Sequence, residues 1–342
     1  MPRLRTVSTR DPGWKRLRHG RGFRYLDVDG SPLGPAEVER VKALVIPPAW
    51  RDVWVSPYPN AHLQAVGTDE AGRRQYLYHP VWRAKRDAAK FDRVIAMADK
   101  LPDVRRQIRA DLDRDGVGRD TALAAAVRLV DLGCFRLGSD SYTEQNGSYG
   151  LTTLERRHVR RNGDARVFSF VGKSGVEHDI CLNDPQLCRV VDRMTLRRKD
   201  DERLLCVKEG RSWVPLQPSD INEHIRELFG LDVTAKDFRT WHATVHVASA
   251  LGEAVLRAQD GRDGKRPPSR TARNRTVRQA IVGASELLGN TPTVCRSSYV
   301  NPRVIDLYES DVTIAPALAR LPADAEVARD ELDRAVVDLL AD

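Results

Sequence analysis

Cysteine is scarce in this 342-residue chain, and its placement suggests neither crosslinks nor a metal finger. Five thiols stand at Cys134, Cys181, Cys188, Cys206 and Cys295. The count is odd and no two form a C-x-x-C pair, so reduced, mostly buried thiols in a cytosolic protein are expected. No apolar run approaches the roughly 18 residues that span a bilayer. The segment opening at Met1 has no apolar stretch, so neither a membrane span nor a secretory signal is expected. The phosphate-loop pattern G-x4-G-K-S/T is missing, which removes the P-loop nucleotide enzymes. His242 and His246 have metal-ligand spacing, but no Glu stands between them as in H-E-x-x-H, so no zinc site is expected. Internal repeats and long low-complexity tracts are also lacking.

What is abundant is charge. The chain is 30% charged and 41% hydrophobic, which suits a globular protein with an ample core, and its net charge is +8. That charge is uneven. Residues 304–342 hold ten acidic side chains against Arg320, Arg329 and Arg334, so the preceding part carries more than the whole chain's surplus. A body this basic suits a polyanion, with nucleic acid the first candidate.

Residues 1–22 are basic and contain glycine, and are expected to form a flexible arm. From Phe23 to about His79 the pattern is β-rich. Phe23–Val28, Trp50–Val55, His62–Gly67 and Gln75–Tyr78 read as strands, with turns at Asp29-Gly30 and near Gly72 and one helix at Pro35–Leu44. The strip from Arg73 through Arg74, Gln75, Tyr76 and Tyr78 to His79 mixes cations, an amide and phenols, a set able to serve phosphates and base edges together. An ordinary exposed edge strand would read the same way.

From Trp82 the period becomes helical, with Ala88, Phe91, Val94, Ile95, Ala98 and Leu101 in phase. A domain boundary is therefore expected near 80–86, giving a β-rich module at 1–82 and a mainly helical domain at 83–342. Further helices are expected from Pro102 to about Asp113, over Thr121–Leu132, at 185–198 and 219–229, and from Thr234 to about Gln259. Residues 154–182 read as a small antiparallel three-strand sheet. Asn162-Gly163 turns one hairpin, and Gly172-Lys173-Ser174-Gly175 turns the other, with Lys173 at its tip. Residues 262–275 are intensely basic and contain Gly and Pro. They are expected to be a mobile connection lying beside a nucleic acid. An amphipathic helix near Glu326–Leu340 is expected to pack on the body or lie along its solvent side.

Near the end, Leu287-Leu288-Gly289 closes one helix, and Thr291-Pro292 opens another that carries Tyr299, with Asn301-Pro302 breaking it. Alone, Tyr299 reads equally well as core. Arg136, between Phe135 and Leu137, reads as a half-buried guanidinium in need of a carboxylate or a phosphate. Lys236 and Arg239 share a helix face.

Taken in order, these segments resemble the poxvirus-like bacterial type IB DNA topoisomerases, over most of the chain from Ile46-Pro47-Pro48-Ala49-Trp50 to Tyr299. Cys134-Phe135-Arg136-Leu137-Gly138 is similar to the family's first catalytic-arginine segment. Phe170-Val171-Gly172-Lys173 is similar to its lysine hairpin, and Lys236-Asp237-Phe238-Arg239-Thr240 to its second arginine helix. Tyr299 stands where the nucleophile stands. One position departs: poxvirus members have His after Gly in the Gly-x-Thr-Pro segment, and this chain has Asn290.

The resemblance implies an α+β fold, with a β-rich DNA-clamp module before the catalytic fold shared with tyrosine recombinases. It implies that Tyr299 attacks a DNA phosphodiester, Arg136, Arg239 and Asn290 grip the non-bridging oxygens, and Lys173 protonates the departing 5′-oxygen. Arg73, Arg74, Gln75, Tyr76, Tyr78, Tyr142 and Lys236 are expected to contact DNA. Duplex DNA is the implied partner of a cytoplasmic, nucleoid-associated monomer that needs no ATP, cofactor or obligatory metal. Two other readings share the residue set: a tyrosine site-specific recombinase, which the β-rich module argues against, and a non-catalytic DNA-binding protein on the same fold.

Overall fold

The computed structural model of the chain describes residues 3–196, 203–260 and 269–341. The chain divides into two compact units, Met1–Lys90 and Phe91–Asp342.

The first unit contains β1 (Trp14–His19), β2 (Gly22–Leu26), α1 (Pro35–Ala43), β3 (Arg51–Val55), β4 (Leu63–Thr68) and β5 (Arg74–Tyr78). The strands make one antiparallel sheet in the order β2-β1-β3-β4-β5. Alternation drives Val53 and Val55 into a core with Trp14, Val41 and Ala65, and Leu77 packs against it. The flexible arm expected at 1–22 is not found over the described residues 3–22. Arg5 bridges to Ala61, and β1 is a central strand. Its cationic sequence hides an inward face, because buried Arg16 donates to Ile46 O, Pro47 O and Trp50 O at 3.2, 3.0 and 2.8 Å. A buried guanidinium is tolerable only with such a set of acceptors.

Helix α2 (Pro80–Asp99) runs across the division between the units. There follow α3 (Leu101–Leu112), α4 (Arg119–Gly133), α5 (Asp140–Asn146), the three-strand antiparallel sheet β6 (Val159–Asn162), β7 (Ala165–Val171) and β8 (Glu177–Leu182), and α6 (Pro185–Thr195). Next come the hairpin β9 (Cys206–Glu209) and β10 (Ser212–Pro215), then α7 (Pro218–Phe229), α8 (Ala235–Asp260) and α9 (Arg270–Leu288). The chain closes with α10 (Pro292–Ser298), α11 (Pro302–Glu309), α12 (Ala315–Leu318) and α13 (Ala325–Ala341). The β9–β10 hairpin had no counterpart in the sequence reading, since four-residue strands carry little periodicity. Residues 139–147 contain α5, a polar turn of helix with no apolar stripe and therefore no helical period to announce it. The mobile connection read at 262–275 is a helix from Arg270 onward, capped by the Ser269 side chain. Residues 262–268 lie outside the described residues.

Helix α4 is the hub of this unit. Every residue from Thr121 to Asp131 is buried, so α4 is packed on all sides rather than along one stripe. It carries two charges inward. Asp131 accepts from Arg105 Nε at 3.0 Å and Arg105 Nη2 at 3.1 Å, and pairs with Arg329 and His242, each at 3.3 Å. Arg105 also reaches Asp330 and Asp333 of α13 at 2.6 and 2.7 Å, and Arg128 pairs with Asp184 at 2.7 Å and with Glu326. The acidic C-terminal helix is thus bolted to the hub by ion pairs. Burial alone would raise the Asp131 carboxyl, but Arg105, Arg329 and His242 hold it well below the ordinary carboxylate range.

Removing Asp131 strands several cations in the interior. Asp131→Ala is therefore expected to lower unfolding stability in urea by about 3–5 kcal/mol. Breaking the exposed Lys42–Glu39 pair should leave the urea midpoint nearly unchanged, because solvent screens it. The Asp131 contribution is present above the unfolded carboxyl value of about 3.9 and is lost as pH falls through the depressed folded value. A stability curve for the variant parallel to wild type in acid would contradict this.

Candidate active site

The site is assembled at the C-terminus of α9. There Gly289 is left-handed at φ 56°, the Gly289 N–H returns to Glu286 O at 3.0 Å and the Asn290 N–H to Ser285 O at 2.9 Å. These bonds stop the helix in the manner of a glycine C-cap. Two later carbonyls receive guanidinium groups instead. Arg239 Nη2 donates to Leu288 O at 2.7 Å, and Arg136 Nη2 donates to Gly289 O at 3.0 Å. The negative end of the helix dipole favours both cations.

Arg239 comes from α8 and is buried, with its Nη1 donating to Cys134 O. Cys134 itself ends α4 in the left-handed region at φ 52°. That turn sends Phe135 into the core and leaves Arg136, the next residue, half-buried. Arg136 Nη2 also donates to Asn290 Oδ1. A guanidinium offers only donors, so this bond fixes the amide's orientation. Asn290 Nδ2 then faces away from it, with no hydrogen-bond partner among the described residues, and Arg239 Nε likewise has none.

Tyr299 ends α10, with its ring centroid 5.6 Å from Arg239 Cζ. It was read as lying within a helix; it is the residue on which that helix stops. Thr244 of α8, unremarked in the sequence, holds this corner: its Oγ1 accepts from Asn301 N at 3.1 Å and shares its proton between Thr240 O at 2.8 Å and Tyr299 O at 3.3 Å. Lys173 is exposed at the β7–β8 tip, where Ser174 takes φ 65°.

A cavity of about 180 Å³ is lined by Arg136, Lys173, His178 and Arg239, with Phe170 and Tyr149 among its walls. His178 was not singled out in the sequence. Its signal was phase: on β8 it alternates with Ile180 and Leu182 on the inward side, a polar residue at an apolar position. Its ring lies 5.0 Å from Phe170 and nearly parallel to it. Burial, with Arg136 and Arg239 nearby, lowers its pKa below the ordinary histidine value.

In the first unit, strand alternation divides the expected DNA strip. Tyr76 and Tyr78 stack at 6.1 Å, and Tyr78 stacks on Trp82 at 4.1 Å, beneath which Arg86 lies 5.2 Å from the ring. Gln75 is off that face, donating to Asp69, which also pairs with Arg73 at 2.9 Å. Arg74 and Lys236 are exposed. Tyr142 falls on α5, and its side chain lies outside what is described. His242 is engaged with Asp131, and among the described residues no group of three or more His, Cys, Asp or Glu side chains is arranged to hold a metal ion.

Residues 79–314 match the family described as eukaryotic DNA topoisomerase I, catalytic core, and residues 22–69 match bacterial DNA topoisomerase IB, N-terminal domain. The chain belongs to the type IB DNA topoisomerases. It is 27% identical over 305 residues to DNA topoisomerase 1B of Acanthamoeba polyphaga mimivirus, covering 87% of this chain and 88% of the viral one. It is 22% identical over 246 residues to DNA topoisomerase I of monkeypox virus and to DNA topoisomerase 1B of vaccinia virus strain Copenhagen, covering 71% of this chain and 72% of each. Among the described residues, no helix is long and apolar enough to cross a membrane.

Arg239 holds two segments together before any substrate arrives. Arg239→Ala should therefore destabilise the DNA-free protein, by about 3 kcal/mol for two charged hydrogen bonds lost in the interior. Arg136→Ala, at a half-buried position, should cost clearly less. Equal unfolding midpoints in urea for Arg239→Ala and wild type would contradict the structural role.

Proposed function

We propose that this topoisomerase works through Tyr299 as nucleophile. The phenolic oxygen attacks the scissile phosphorus, the bond to the 5′-oxygen breaks, and a 3′-phosphotyrosyl link and a free 5′-hydroxyl result. Tyrosine ionises near ~10, so at neutral pH its attack depends on strongly positive surroundings. Arg136 and Arg239 supply them and bind the non-bridging oxygens as charge builds. Lys173 gives its proton to the leaving 5′-oxygen; a lysine can release a proton that an arginine would retain. Rotation of the free strand relaxes the duplex, and reversal of the same steps reseals it. The phosphotyrosyl bond conserves the energy of the broken link, so ATP is not required, and Arg136, Arg239 and Lys173 supply the charge stabilisation and the proton, so the chemistry needs no obligatory metal.

The observation that carries this reading is the convergence of Arg136, Arg239 and Asn290 on one helix end, with the Tyr299 ring 5.6 Å from Arg239. Asn290 takes the third phosphate contact. Its Nδ2 is a shielded donor without an acceptor, a state that costs about 1–3 kcal/mol. A phosphate oxygen supplies that acceptor, and histidine could donate from the same place. The stacked Tyr76, Tyr78 and Trp82, with Arg73, Arg74, Gln75, Tyr142 and Lys236, contact the duplex. The enzyme acts as a monomer at the nucleoid, with the module 1–82 serving DNA binding and residues 83–342 the chemistry.

Tyr299→Phe should bind duplex normally and form no covalent complex with DNA on denaturing gels. Residual complex would move the nucleophile elsewhere. Lys173→Ala should cleave slowly on ordinary DNA and recover on a substrate with sulfur at the 5′-bridging position, because a thiol ionises near ~8.5 and leaves without an acid. Rescue of Arg239→Ala but not of Lys173→Ala would show the roles to be misassigned.

A further inference from the structure

The lysine hairpin and the phosphate-binding turn belong to different elements, yet cleavage on the reading above needs Lys173 and the Arg136–Asn290 pair on one phosphate. What sets their separation is visible in two glycines. A Cβ on Gly172, the residue before Lys173, would lie 2.6 Å from His178 Cδ2. A Cβ on Gly289, the residue before Asn290, would lie 2.6 Å from His178 Cε1 and 3.7 Å from Arg136 Nη1. One imidazole therefore fills the space between both backbones, and neither glycine leaves room for a methyl group.

The ring is held in place from behind. His178 and Phe170 are directly opposite in the β7–β8 register, so their side chains share a face. Phe170 stacks in turn on Phe135 at 5.8 Å, and Phe135 precedes Arg136. The column Phe135–Phe170–His178 thus runs from the Arg136 segment, through the hairpin, to the turn that carries Asn290.

We propose that His178 is a positioning residue for cleavage: its imidazole is the spacer that sets Lys173, through Gly172, against the Arg136–Asn290 pair, through Gly289. This inference rests on the roles given above to Lys173, Arg136 and Asn290. The spacer works uncharged. The charged groups facing it are Arg136 from the segment after α4 and Arg239 from α8, with Lys173 lining the same cavity and Glu177 and Asp179 flanking it on the exposed side of β8. A proton on the ring would set a third charge against the two guanidinium groups and push the turn and hairpin apart.

The test is single-turnover cleavage by the full-length protein, on ordinary DNA and on DNA with 5′-bridging sulfur, after duplex affinity has been measured for each variant. His178→Ala should bind duplex within about twofold of wild type and cleave ordinary DNA about 10²-fold more slowly, the usual effect of a displacement near 1 Å. Much of that deficit should vanish on the sulfur substrate, which does not need Lys173. His178→Phe keeps a ring on the Phe170 stack and should cleave within a few-fold of wild type at pH 7.5. Wild type should show a histidine-type loss of cleavage as pH falls, with its midpoint below the ordinary histidine value because burial and the two guanidinium groups disfavour the charged ring, and His178→Phe should lack that step. The wild-type profile tests the inference even if a variant folds poorly.

Wild-type cleavage by His178→Ala would overturn the inference. So would a His178→Phe variant as slow as His178→Ala, which would assign chemistry to the ring nitrogens, or an unchanged low-pH step in His178→Phe. If sulfur rescues Lys173→Ala but not His178→Ala, the spacer role fails alone. If sulfur rescues neither, the acid role of Lys173 fails with it.

Discussion

The catalytic half of the protein depends on what the last carbonyls of α9 do. An α-helix leaves its final carbonyls without partners. Here the glycine cap satisfies those of Ser285 and Glu286, and those of Leu288 and Gly289 take guanidinium groups from Arg239 and Arg136. Two cations that would otherwise repel are held side by side with no substrate present. Backbone oxygens and the negative end of the helix dipole favour both positions. A carboxylate partner would neutralise them and compete with a phosphate. On the roles proposed for them, a carbonyl orients them and leaves their charge available for the transition state, which is the requirement for electrostatic preorganisation.

The rest of the second unit keeps that helix end in register. Helix α8 brings Arg239, and on its next turns it brings Trp241, whose Nε1 donates to Asp333 at 2.7 Å, and Thr244, which braces the Tyr299–Asn301 corner. The buried network around Asp131 locks α8, α4 and α13 together just before Cys134 turns the chain toward Arg136. Acidic side chains of the C-terminal helix are therefore spent on the hub, which explains how a basic, DNA-acting body carries an acidic tail without an exposed repulsive patch at every acidic position.

Much of this was legible in the sequence where physics is local. Gly289 as a left-handed stop, Thr291 and Pro292 as a helix opening, Asn162-Gly163 as a hairpin turn and Lys173 at a hairpin tip all follow from backbone preferences of single residues. Helical phase located α2, α3 and α8 to within a few residues. Arg136, Lys173, Arg239, Asn290 and Tyr299 were picked out in advance because their order resembles one family's, not because any of them announces itself. What escaped is non-local. Strand β1 looks like a basic arm because its inward residue, Arg16, is satisfied by carbonyls some thirty positions on. Arg105 and Arg128 gave no sign of burial because their carboxylate partners on α13 lie about two hundred residues away. His178 was passed over because a histidine on a strand has no meaning until the two glycines it separates are brought together.

Family membership defines the enzyme class, and the convergence at α9 supplies the account of how it works: a preformed cluster of positive charge that lets a tyrosine replace a 5′-oxygen and then lets the reaction run backwards. The most direct test is relaxation of supercoiled plasmid by the purified full chain, with excess chelator and no nucleotide. Both negatively and positively supercoiled plasmid should be relaxed under these conditions. A strict requirement for a divalent metal or for ATP, or relaxation of one sign of supercoil only, would contradict this mechanism.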